Sequence, residues 1–206
     1  MNSCATDRMS QWWLRPLGWP SHLLSGVAAA LALWGAIPPG GYIEVWIFSA
    51  VLWLAVGLIW GGRALARLTV AKVHQQPFET LPGGWKSWRV VPTLLLGTSM
   101  MLFLHIPFYV AFFLSRPAME QFSRQVLTSP SSVSQQPQRV GLYWTGGFHV
   151  TSWGMRFYLF SGWPDSYGFA YSSRGTPPPE RTDNLGLNTY TPIMGNWYEW
   201  KHTEDW

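Results

Sequence analysis

The stretch Val90–Leu114 reads VVPTLLLGTSMMLFLHIPFYVAFFL, twenty-five residues without one Asp, Glu, Lys or Arg. Charged side chains are costly in hydrocarbon, and a bilayer core takes about 20 apolar helical residues. The full uncharged interval here, between Arg89 and Arg116, is 26 residues. Two more lie upstream: 18 residues between Glu44 and Arg63, and 28 between Arg15 and Glu44. The intervals predict transmembrane helices at about 17–37, 45–62 and 90–114. Three such runs within the first 116 residues leave too little polar surface for a soluble helical core. A cleaved leader fits poorly, because Trp34-Gly35-Ala36-Ile37-Pro38-Pro39 is not a small-residue cleavage site.

Composition agrees. Of 206 residues, 48% are hydrophobic and 12% charged, about half the charged share of an ordinary soluble domain. So apolar a chain is not disordered as a whole. With Cys4 as its single cysteine, it is not a disulfide-stapled module either. The formal charge of +4 is unevenly spread: residues 1–138 carry a net +5 and residues 139–206 a net −1. The basic surplus flanks helices, which makes it a topology signal, and nucleic acid is not an expected partner. The loop 63–89 holds Arg63, Arg67, Lys72, Lys86 and Arg89, whereas Pro38–Glu44 holds no basic residue. The positive-inside bias then puts the N-terminus and the longer loop in the cytoplasm, and everything after Arg116 outside the cell (inner) membrane. Trp12, Trp13, Trp19, Trp60, Trp85 and Trp88 stand near helix ends, where indoles favour the headgroup level.

Within the helices, Gly57 and Gly61 form a small-xxx-small pair, as do Gly26 and Ala30. Such spacing admits close backbone approach, either within the chain or between copies. The tight Pro38-Pro39-Gly40-Gly41 link predicts an antiparallel hairpin of the first two helices. On the third, Thr98 and His105 are seven apart and would share a face, a possible intramembrane polar site. Pro107 cannot donate to the carbonyl of Phe103, so a kink is expected there. No second acid or base in a helix interior completes a proton relay.

The chain divides into a transmembrane part (1–116), a juxtamembrane helix and polar linker (117–138), and a small antiparallel all-β domain (139–206). Met119, Phe122 and Val126 predict a short amphipathic helix over Ala118–Leu127 that continues the third span. Short aromatic and β-branched runs at Arg139–Trp144, Phe148–Ser152, Met155–Phe160, Ser166–Tyr171 and Asn196–Lys201 predict strands. An irregular excursion through Thr176-Pro-Pro-Pro179 interrupts them. So small a fold without disulfide or metal depends on aromatic packing, which Trp144, Phe157, Phe169, Tyr171, Trp197, Tyr198 and Trp200 can supply.

The segments Gly141-Leu-Tyr143, Gly154-Met-Arg-Phe157, Asp165-Ser-Tyr-Gly-Phe-Ala-Tyr171, Gly175-Thr-Pro-Pro-Pro179 and Trp197-Tyr-Glu-Trp200 resemble a recurring tail of uncharacterised bacterial membrane proteins, found chiefly in planctomycetes and other large-genome bacteria. The resemblance covers about a third of the chain plus the preceding helix. It implies a bacterial origin and a membrane-tethered domain, and it implies no activity.

Catalytic signatures are missing: there is no Gly-x-Ser-x-Gly elbow, cysteine nucleophile or His-x-x-x-His pair. No cofactor or metal is expected. The polar candidates of the β domain are His149, Asp165, Ser166, Glu199, His202, Glu204 and Asp205. Asp165 with Glu199 is the one carboxylate pair to consider for sugar cleavage. Trp153, Trp163 and Trp197 are the candidates for an exposed aromatic surface that stacks on a glycan. The expected role is a non-enzymatic membrane module presenting a β domain to an envelope protein or glycan. The alternative is a transport or channel accessory acting through the third helix around His105.

Overall fold

A computed structural model describes residues 18–74, 85–130, 133, 136–161, 165–175, 181–183 and 186–203. It contains helices α1 (Trp19–Gly35), α2 (Ile43–His74), α3 (Trp85–Phe103) and α4 (Ile106–Thr128). Strands follow: β1 (Gln138–Val140), β2 (Tyr143–Thr151), β3 (Gly154–Leu159), β4 (Ser166–Ser172), β5 (Arg181–Asp183), β6 (Gly186–Met194) and β7 (Trp197–Thr203). A helical part followed by an antiparallel β part is therefore the architecture. Two compact units divide it, one of residues 1–33 and 45–103, the other of 34–44 and 104–206.

In the helical unit, α2 is long and apolar enough over Ile43–Thr69 to cross a membrane. A second such span exists if α3 from Trp88 and α4 together count as one broken crossing. The three expected spans thus become one or two, for two physical reasons. First, α1 has 17 residues where 21 were expected. Second, the predicted helix 90–114 is not continuous: α3 stops at Phe103, and His105 takes a left-handed conformation (φ 52°, ψ 28°) before α4 begins. Pro107 stands in the first turn of α4. Lacking an N–H, proline suits a helix start and fails in a helix interior, so the expected kink is a full restart.

The α1–α2 hairpin packs through small residues. Ser25, Ala28, Ala29 and Ala32 of α1 are buried at helical spacing, and the Ser49 hydroxyl donates to the Ala28 carbonyl at 2.9 Å. The expected stripes lie elsewhere. Beyond the adjoining residues and backbone of the same helix, no described atom comes within 4 Å of where a Cβ would stand at Gly26, Gly57 or Gly61. Farther along, Trp60 Nε1 donates to the Trp88 carbonyl at 3.2 Å, and the Arg67 guanidinium lies 4.8 Å from the Trp88 ring centre.

The β unit is one seven-stranded antiparallel sheet, in the order β1-β2-β3-β4-β7-β6-β5, laid against α4. From α4, Phe108, Ala111, Phe112, Ser115, Met119, Phe122 and Val126 recur every three or four residues and face the sheet. They meet Tyr143, Phe148, Met155, Phe157, Phe169 and Trp197 in one aromatic core. The segment Ala118–Leu127 is helical as expected, but its helix begins twelve residues earlier, at Ile106, and all of it belongs to this unit. Contact between α4 and the first hairpin is tight, since Gly141 (φ 64°) rests on Ser115 with no room for a Cβ. The Ser115 hydroxyl accepts from Leu142 N–H at 3.0 Å.

The short link between α1 and α2 also joins this unit. Ile37 packs on the core, and the Ser161 hydroxyl donates to the Pro39 carbonyl at 2.8 Å. Gly40 (φ 73°) lies so close to the Tyr167 ring that any side chain there would overlap it. The sheet has more strands than expected, because β5 and β6 fill part of the stretch read as irregular. The excursion through Thr176–Pro179 lies outside the described residues.

Candidate functional site

Three polar arrangements stand out among the described residues of the β unit, and the first is open. It is a cleft of about 270 Å³ between α4 and the sheet, lined by Arg116, Glu120, Arg124, Tyr171, Gly195, Asn196 and Trp197. Helical spacing of four places the first three along one side of α4, and the Arg116 Nε donates to Glu120 Oε1 at 2.7 Å. Arg124 makes no ion pair among the described residues, so the cleft keeps a net positive charge. Opposite, the Gly195–Asn196 turn joins β6 to β7, and the left-handed φ of Gly195 (60°) lets the chain reverse in two residues. Asn196 accepts from Ser172 N–H through its backbone carbonyl at 2.9 Å, which ties the turn to β4, and the residue lines the cleft. Tyr171 and Trp197 form the floor, their ring centres 5.0 Å apart. The Trp197 Nε1 is buried without a hydrogen-bond partner among the described residues.

The second arrangement is closed. Asn188, 2% exposed, accepts at Oδ1 from Arg156 (3.1 Å) and Trp200 Nε1 (3.0 Å), and His202 Nδ1 lies 3.2 Å from the same oxygen. Arg156 also covers the Trp200 ring at 5.0 Å. This network satisfies polar groups on the sheet face away from α4 and presents no free reactive atom at that oxygen.

The third arrangement surrounds the α1–α2 link. Lys201 Nζ pairs with Asp165 Oδ2 at 2.8 Å and lies 5.7 Å from the Tyr167 ring centre. The hydrogen bond to Asp165 holds the ammonium above its ordinary pKa. Burial raises the carboxyl of Glu199, while the charges of His105 and Lys201 pull the other way. Burial likewise raises the Tyr143 hydroxyl, with Tyr42 adding to the effect.

Several expected site residues stand elsewhere than the sequence implied. His105 is exposed at the break before α4 and Thr98 is buried on α3, so the shared helical face does not exist. Trp197 is 1% exposed and edge-on to Phe112 and Phe157, which leaves no ring face for stacking on a sugar. Trp153 is half-buried and packs edge-on to Tyr190 at 5.6 Å. Trp163 lies outside the described residues, as do Glu204 and Asp205. Asp165, considered with Glu199 for sugar cleavage, is committed to Lys201. Among the described residues, no group of three His, Cys, Asp or Glu is placed to hold a metal ion.

Sequence reasoning missed Arg116, Glu120, Arg124 and Asn196. The spacing of Arg116, Glu120 and Arg124 was a visible signal, but their partner turn lies some 70–80 residues downstream. No family model, curated protein or solved structure matches this chain.

Proposed function

We propose that the chain is a multi-pass membrane protein that displays its β unit on the non-cytoplasmic side, as a binding module for an envelope component. The observation that carries this reading is the membership of residues 34–44 in the β unit, through the Ser161–Pro39 hydrogen bond and the Gly40–Tyr167 contact. A link that precedes α2 and a sheet that follows α3 must share one side of a membrane. The chain between them would therefore cross an even number of times: α2 passes in, and α3, continued by the apolar start of α4, returns. In the hairpin, α1 runs antiparallel to α2 and carries the N-terminal segment toward the side of the basic loop 63–89. That loop is rich in Arg and Lys and the link 38–44 has none, which favours the link and the sheet as the outer side. The tail resemblance to bacterial membrane proteins fits an inner-membrane location.

Reporter fusions test it. A reporter active only in the cytoplasm should work when inserted near Gln75 and fail when fused after Trp206. The reverse pattern, or cytoplasmic activity at both sites, would sink the reading. Binding is supported by the basic cleft, an open polar site among the described residues of the unit.

A further inference from the structure

We infer that the cleft of Arg116, Arg124 and Asn196 holds the phosphate group of a lipid headgroup. Charge supports an oxyanion. Glu120 is neutralised by Arg116, whose remaining guanidinium N–H groups stay available, and Arg124 adds a second guanidinium. The two arginines are eight residues apart, about 12 Å along α4, with Asn196 across the cleft. Guanidinium forks match phosphate oxygens bidentately, and an amide N–H adds a neutral donor. At about 270 Å³ the cleft is near the small end of ligand sites, suited to a headgroup rather than to a long polymer.

Position supports the lipid as the source of the phosphate. On its side away from the sheet, α4 exposes Ile106, Tyr109, Val110, Phe113 and Leu114, the last of them 69% exposed. Beyond Arg116 the exposed residues of α4 are Pro117 and then Gln121, Arg124, Gln125 and Thr128. Arg116 therefore marks the change from apolar to polar surface on one helix. In a membrane protein this boundary lies at the headgroup level, where basic side chains meet lipid phosphates. This placement rests on the membrane reading above.

The test uses the full chain in uncharged detergent, with retained lipid counted by native mass spectrometry. Phosphatidylglycerol is expected to bind, and diacylglycerol, which lacks the phosphate, is not. Arg124→Gln should weaken phosphatidylglycerol binding about tenfold or more, and Arg124→Lys should restore part of it. Arg139→Gln, an exposed change outside the cleft, should leave it intact, and melting curves verify that each variant is folded. Equal retention of both lipids, or a folded Arg124→Gln protein that binds like the parent, overturns the inference. Soaks with inorganic phosphate and glycerol phosphate separate the sources: binding as tight as that of the lipid overturns the lipid assignment. A cytoplasmic C-terminus in the reporter assay, with lipid binding intact, would remove the topology reading alone.

Discussion

The helical unit and the β unit bury opposite kinds of side chain. In the helical unit the most enclosed residues of α1 are Ser25, Ala28, Ala29 and Ala32, while Phe48, Leu54, Leu58 and Leu96 are more than 60% exposed. In the β unit Phe112, Phe157, Phe169, Trp197 and Trp200 are sealed. Lipid tails are as apolar as leucine, so helices in a bilayer gain little by hiding large apolar groups and associate through close backbone contact. A unit bathed in water gains most from hiding its largest rings. One chain thus follows two packing rules, and α4 takes part in both, with Phe108 and Phe112 buried against the sheet and Val110, Phe113 and Leu114 exposed.

Substitutions that obey one rule and violate the other will break or sharpen this contrast. The largest effect is expected at Phe157, fully buried against Phe122, Phe169 and Trp197. Phe157→Ala should cost about 3–5 kcal/mol, read as a lower melting temperature of the β unit. Next is Ala28→Leu, which forces a large group into the α1–α2 contact. It should cost about 1–3 kcal/mol, although it makes the chain more hydrophobic, and intramolecular crosslinking across the hairpin would report it. If Ala28→Leu were neutral, the small-residue contact would not be what holds α1 to α2.

A smaller effect should follow pH through Glu199. Burial raises its folded-state pKa above the ordinary 4.5, so the folded chain holds this proton more tightly than the unfolded one. Stability should therefore decline as pH rises through the interval above 4.5, and Glu199→Gln should flatten that slope. A slope unchanged in Glu199→Gln would assign it to another group. The smallest effect is expected from Leu58→Ala on the exposed face of α2, within about 0.5 kcal/mol by the same melting assay.

What could be read from the sequence follows the same divide. Uncharged length found the start of α2 but not its end, because the helix runs on to His74 through Arg63, Arg67 and Lys72. The same criterion failed at 90–114, because Phe108 and Phe112 look identical whether they face lipid or the underside of a sheet. Pro107 was the only local sign of the break. Strand β6 escaped notice because Asn188, Thr189, Thr191 and Pro192 form no apolar alternation. Its place comes from pairing with β7, with an irregularity between Pro192 and Met194. Aromatic content correctly implied a ring-packed module: Phe157, Phe169, Trp197 and Trp200 are buried as core rings, whereas Trp144, expected with them, is 55% exposed and Trp197 has no face left for the glycan surface also considered. The cleft was beyond sequence reading for a geometric reason: α4 and the β6–β7 turn meet only once the sheet has formed.

The strand order has a consequence for the timing of assembly. β7, the last strand along the chain among those described, lies between β4 and β6 rather than at an edge. Neither neighbour can complete its pairing until β7 has left the ribosome. The link 34–44, made among the first fifty residues, must wait for partners made near the end. Such long-range pairing folds slowly and leaves strand edges bare in the meantime. The nascent unit is therefore an open half-sheet until the final strand closes the gap.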